Sequence, residues 1–114
     1  MNAEAALKTT LNSLGVPVAR MIYNGNADTF ITYQLVLSGE MAFADDDNEA
    51  EEYLFRVDIY SRRDYIALLR RAKQALKLAG FYGVAIQAEL YENDTQLFHV
   101  PINVYFCEEV GAAT

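Results

Sequence analysis

Residues 53–81 read YLFRVDIYSRRDYIALLRRAKQALKLAGF, and their period changes in mid-course. Tyr53, Phe55, Val57 and Ile59 alternate with Leu54, Arg56, Asp58 and Tyr60, the two-residue period of a strand that buries one face. Beyond Asp64, the stripe Tyr65, Ile66, Leu69, Ala72, Leu76 and Ala79 recurs at three- and four-residue spacing in a segment rich in Ala, Leu, Arg and Lys. Those are good helix formers on an amphipathic period, so this should be the longest helix. Ser61 or Asp64 can cap its start, and Gly80 can take the left-handed conformation at its end.

Upstream, AEAALKTTLNSLG places Leu7, Leu11 and Leu14 on one side of a short helix that stops at Gly15, ahead of Pro17. VPVARMIY reads as a short strand, ended by the turn formers of NGNAD. FITYQLVLSGEM then alternates, with Ile31, Tyr33, Leu35 and Leu37 on one face and Thr32, Gln34, Val36 and Ser38 on the other; Gly39 marks a bulge or bend. Downstream, GVAIQAELY turns Val84, Ile86, Ala88 and Leu90 inward and Gln87, Glu89 and Tyr91 outward. LFHVPINVYF turns Phe98, Val100, Ile102, Val104 and Phe106 inward and His99, Asn103 and Tyr105 outward, with ENDTQ as the hairpin turn between the two. Pro101 lacks an N–H, which suggests an edge strand or a bulge.

This order predicts one α+β domain over residues 1–114: a mainly antiparallel sheet of four or five strands with two helices packed on one face. Val57, Ile59, Leu69, Ile86, Ile102 and Val104 should be buried. The opposite face, with Tyr60, Tyr91 and Tyr105 beside Arg56, Asp58, Gln87 and His99, is too polar for a second core and too aromatic for plain solvent, and suits a partner. The tail from about 109 to 114 should fray.

The chemistry of the chain excludes much. Its hydrophobic fraction of 53% sets it apart from disordered chains. It has no apolar run of membrane-spanning length and no signal-peptide pattern, so a soluble intracellular protein is expected. Cys107 is the only cysteine and His99 the only histidine, and on an extended strand they lie too far apart to act together. Cys107 reads as a core thiol and His99 as a surface or interface residue. GxxxxGK[ST], GxGxxG and GxSxG do not occur, and DDDNEAEE lacks the glycine of a calcium loop. The acids Asp58 and Glu89 share the outward face but have no pocket to raise a carboxyl pKa. No enzyme, cofactor or metal site is therefore expected.

Charge is segregated. Asp45, Asp46, Asp47 and Glu49 precede Glu51 and Glu52 with no base among them. A loop over about 43–52 should therefore be mobile and strongly acidic. Arg62, Arg63, Arg70, Arg71, Lys73 and Lys77 are six of the nine bases, and Arg63, Arg70 and Lys77 repeat every seven residues on one helix face. Such a face is either solvated or the complement of an acidic neighbour. Head-to-tail contact between copies would use both. The net charge of -7 argues against nonspecific binding to DNA or anionic lipid.

GVPVARMIY after a short helix, FITYQL opening a strand, then YLFRVDIYSRRDYIALLRRAKQALKLAGF and a closing hairpin resemble the small neck and tail-completion proteins of long-tailed phages and prophages, the tail-terminator type most of all. The resemblance implies a non-enzymatic α+β subunit that forms a ring, commonly a hexamer, capping the tail tube and joining it to the head connector. Its partners would be copies of itself and the tail-tube and connector proteins, with DNA as non-adhering cargo and no membrane. It would be found in the host cytoplasm during assembly and then in the virion neck. Arg56, Asp58, Tyr60, Arg63, Arg70, Lys77, Tyr91 and Tyr105 become interface candidates, and Asp45, Asp46, Asp47 and Glu49 a channel- or tube-facing loop. The alternative is a small α+β ligand-binding or regulatory module, and for the acidic stretch a solvated loop with no role.

Overall fold

The computed structural model describes residues 2–42 and 49–109. Helix α1 (Ala3–Asn12) and strands β1 (Val18–Arg20), β2 (Thr29–Ala42) and β3 (Glu49–Ser61) come first, then α2 (Ile66–Leu78), β4 (Tyr82–Ile86), β5 (Leu90–Glu92) and β6 (Leu97–Glu109). The sheet has six strands in the order β1-β2-β3-β6-β4, with β5 also on β6. It is mixed rather than wholly antiparallel, because β1 runs parallel to β2. The α+β class and two helices agree with the periodicities; the extra strand comes from GVAIQAELY, which divides into β4 and β5.

Both helices cover one face. Leu7, Leu11, Leu14, Tyr65, Leu68, Ala72 and Leu76 meet Ile31, Tyr33, Phe55, Val57, Ile59, Val100, Ile102 and Val104 in one core. In α2 the buried stripe sits slightly round from the expected one: Leu68 is buried, Leu69 half-buried, and Ile66 and Ala79 exposed. Tyr65 is the residue before the first turn, so the helix starts one position later than the stripe assumed, and Asp64 accepts the Ile66 N–H at 3.1 Å. Its C-terminus is a Schellman motif. The Phe81 N–H donates to the Leu76 carbonyl and the Gly80 N–H to that of Lys77, with Gly80 at φ 97. At the end of α1 the Arg71 guanidinium donates to the Leu14 carbonyl at 3.0 Å, tying the two helices together.

Two irregularities correct the strand phases. β2 shifts register between Leu35 and Leu37, so the extra residue is Val36 and not Gly39, and Leu35 stays exposed. β4 shifts between Tyr82 and Ala85, where Gly83 has φ 59 and an added Cβ would come within 2.8 Å of the Tyr105 ring. Ile86 does pair with Ile102, but on the outermost strand it remains 40% exposed. Pro101 is not on an edge strand, since β6 has β3 on one side and β4 and β5 on the other. Its carbonyl accepts from Gln87 N, so its nitrogen faces the break between β4 and β5, where no ladder acceptor needs an N–H.

The molecule is long, 51 × 23 × 22 Å, with a radius of gyration of 15.6 Å. A compact chain of this length would have about 13 Å. The excess is an arm. Past Leu35, Phe55 and Val104 the helical layer thins, reaching Phe106 through Phe81 and Glu108 through the Ala3 N–H, while β2, β3 and β6 continue paired to Ala42, Glu49 and Glu109. Residues 49–52 are thus strand, where a loop was expected; the remainder of that stretch, 43–48, lies outside the described residues.

Candidate interaction surface

The face without helices is built from cross-strand rows. Phe30, Tyr60, His99 and Leu90 lie abreast, followed by Thr32, Asp58 and Pro101, then by Gln34, Arg56, Asn103 and Ala85. In the first row Tyr23, Phe30, Tyr60 and His99 stack in series, with ring centroids 4.3, 4.9 and 4.2 Å apart. Such pairs contribute beyond simple burial. Burial, and then the Asp58 charge, push the Tyr60 phenol above its ordinary pKa.

Asp58 anchors the polar part. One carboxylate oxygen accepts from Arg56 Nε at 3.0 Å and lies 2.6 Å from His99 Nε2. An ionised carboxylate only accepts, so Nε2 carries the hydrogen. Asp58 and His99 are both buried, which places them in an internal network rather than at an open surface. The cross-strand neighbours of the single histidine, Tyr60 and Leu90, could have suggested this only once the register was known.

At the arm the same face becomes apolar with an acidic margin. Leu37, Leu54, Tyr105 and Tyr82 stand abreast. Leu37, Leu54 and Tyr105, with Ser38, Gly39, Glu40 and Glu52, line an open depression of about 330 Å³. Glu52 accepts from the Tyr82 hydroxyl, and burial together with that bond pushes the Tyr82 phenol up to about 12. On the arm's other face Glu40, Glu51 and Glu108 are abreast on β2, β3 and β6. Neighbouring Tyr53 has its phenol raised by burial, then by Glu108 and Glu51. Cys107 is half-buried opposite Glu52, and so is no core thiol.

No protein-family model matches the chain, and no curated protein does. Solved structures do match. A chain from the virion of a native gene transfer agent particle is 14% identical, with 94% of each chain covered and a TM-score of 0.56. What is shared at that identity is the fold.

The expected interface residues separate accordingly. Arg56, Asp58, Tyr60 and Tyr105 do share the helix-free face, Asp58 buried and the others half-buried. Tyr91 does not. It pairs with Phe98 and packs on that ring at 5.0 Å, on the helix-bearing face, because the break between β4 and β5 reverses the phase. Glu89 likewise leaves Asp58 and accepts from the Tyr65 hydroxyl. Arg63 is exposed but paired with Asp28 at 3.0 Å, and Arg62 reaches Asp28 and the Thr95 carbonyl, so both fasten the loops around β3. Arg70 and Lys77 remain on the open side of α2 with Lys73, Gln74 and Leu78, unpaired among the described residues. Asp45, Asp46 and Asp47 lie outside the described residues; Glu49 opens β3.

Proposed function

We propose that this chain is a non-enzymatic structural protein of a phage-like particle, placed at the head–tail junction as a tail-terminator or completion subunit. Copies assemble as a ring, commonly of six, that caps the tail tube and meets the head connector. The carrying observation is the fold likeness to a virion component over 94% of both chains. The long arm, with consecutive exposed Leu35, Val36 and Leu37, supports the reading, since such apolar strands in a stable subunit are usually covered by assembly. So does the commitment of the only histidine to Asp58 and Tyr60, which leaves it no part in nucleophile activation. Assembly takes place in the host cytoplasm and ends in the particle. Passing DNA does not adhere, because a subunit of net charge -7 with Asp45, Asp46, Asp47 and Glu49 toward the channel offers phosphate few cations.

Purified tail tubes mixed with the chain, followed by mass measurement and negative-stain imaging, test this. Rings of this chain at one tube end are expected. Tubes that end bare, with the chain left in solution, would overturn the proposal.

A further inference from the structure

We infer that the depression on the arm receives the C-terminal turn of α2 from a second copy of this chain, a contact that rests on the ring reading above. The receptor has an apolar floor, Leu37, Leu54 and Tyr105, and a margin carrying the Glu52 carboxylate. The complementary knob is Leu78, 82% exposed at the end of α2 and surrounded by Arg70, Lys73, Gln74 and Lys77. An isolated leucine with that exposure needs no explanation, but one ringed by cations and matched by an apolar hollow with a carboxylate at its edge fits a specific pair.

One copy cannot close the contact on itself, because α2 packs on one face of the sheet and the depression opens on the other. The contact is therefore heterologous, each copy offering its knob to the next, and closes into a ring when the rotation per copy allows. A nucleic acid is not the occupant favoured by an acidic margin, and no anionic membrane would accept it.

The test uses a Cys107→Ser background. Leu37→Cys with Leu78→Cys and a short bismaleimide should give intermolecular dimers and higher ladders about tenfold faster than a Met21→Cys with Leu78→Cys control, since docking raises local concentration. Gly39→Leu projects into open space and should fill the depression without unfolding the chain, suppressing the ladder. Glu52→Lys and Lys77→Glu should each suppress it as well, and mixing a Glu52→Lys copy with a Lys77→Glu copy should restore it. Circular dichroism confirms that each variant folds. Cross-linking no faster than the control, or unaffected by Gly39→Leu, overturns the contact. Rings on tail tubes without this cross-link leave the proposed function standing and remove only the interface. Cross-links with bare tubes remove the function and keep the interface.

Discussion

Asp58 holds two donors with one oxygen at a buried position, and this makes its loss different from the loss of either donor. Removing the carboxylate by Asp58→Ala leaves the buried His99 N–H without an acceptor, which should cost about 1–3 kcal/mol. Arg56→Ala removes a partly exposed guanidinium that water can replace, so about 0.5–1 kcal/mol is expected. Urea unfolding of both variants decides; equal losses would mean that the network is not the anchor. A second residue-scale prediction concerns phenols. Tyr33 and Tyr65 are pushed from 10.0 up to about 12, by burial first and then by hydrogen bonds to Glu4 and Glu89. The folded state keeps these protons when the unfolded chain releases them. Their stabilisation is thus complete below pH 10 and is lost as pH rises from 10 to about 12. Denaturation midpoints should fall over that window, and the fall should shrink in Tyr33→Phe with Tyr65→Phe. These pairings were not legible in the sequence, because Tyr33 meets Glu4 and Tyr65 meets Glu89 only through packing across elements.

Strands and helices were legible where the periodicity was uninterrupted and lost where one residue disturbed it. The alternation of β3 and β6 placed Val57, Ile59, Ile102 and Val104 correctly, and all four are buried. Val36 and Gly83 each sit at a register shift, and a shift of one residue exchanges faces. The pattern also states which face a side chain takes, but not how much lies over it. Leu35 and Ile86 are exposed for that reason, at the root of the arm and on an outer strand, whereas Leu37 exchanged faces at the Val36 shift. The contrast gives an element-scale prediction. Ile102→Ala should cost about 2–5 kcal/mol, as for a filled core site, while Ile86→Ala should cost less than about 1.5 kcal/mol because much of that side chain is already in water. Thermal or urea melts of the two variants measure the difference. Similar costs would mean that β4 is covered more fully than the sheet order implies. The acidic run was legible as charge but not as structure: Glu51 and Glu52 read as loop because their only alternation is with each other, whereas pairing with both β2 and β6 holds them in strand.

At the scale of the whole molecule, the arm places like charges where folding alone would not. Glu51 stands directly between Glu40 on β2 and Glu108 on β6, and directly opposed like charges destabilise a sheet. Glu108 has one compensation, the Ala3 N–H that donates to it at 2.7 Å; Glu51 shows no ion pair among the described residues. If the arm meets cationic surface on assembly, the isolated subunit carries repulsion that the assembled one relieves, and stability and assembly should respond to the same substitution with opposite sign. Glu51→Gln keeps the side-chain shape and removes the central charge. It should stabilise the isolated chain by about 0.3–0.5 kcal/mol, at the small end of cross-strand pair energies. It should also weaken assembly on tail tubes, with the difference from the unsubstituted chain shrinking as salt rises and screens the surface charges. Urea melts of the isolated subunit and pelleting with tubes across salt concentrations give the two readouts. A destabilised Glu51→Gln subunit would show that the row is not repulsive, and a stabilised subunit that assembles as well as before would show that the acidic arm makes no cationic contact.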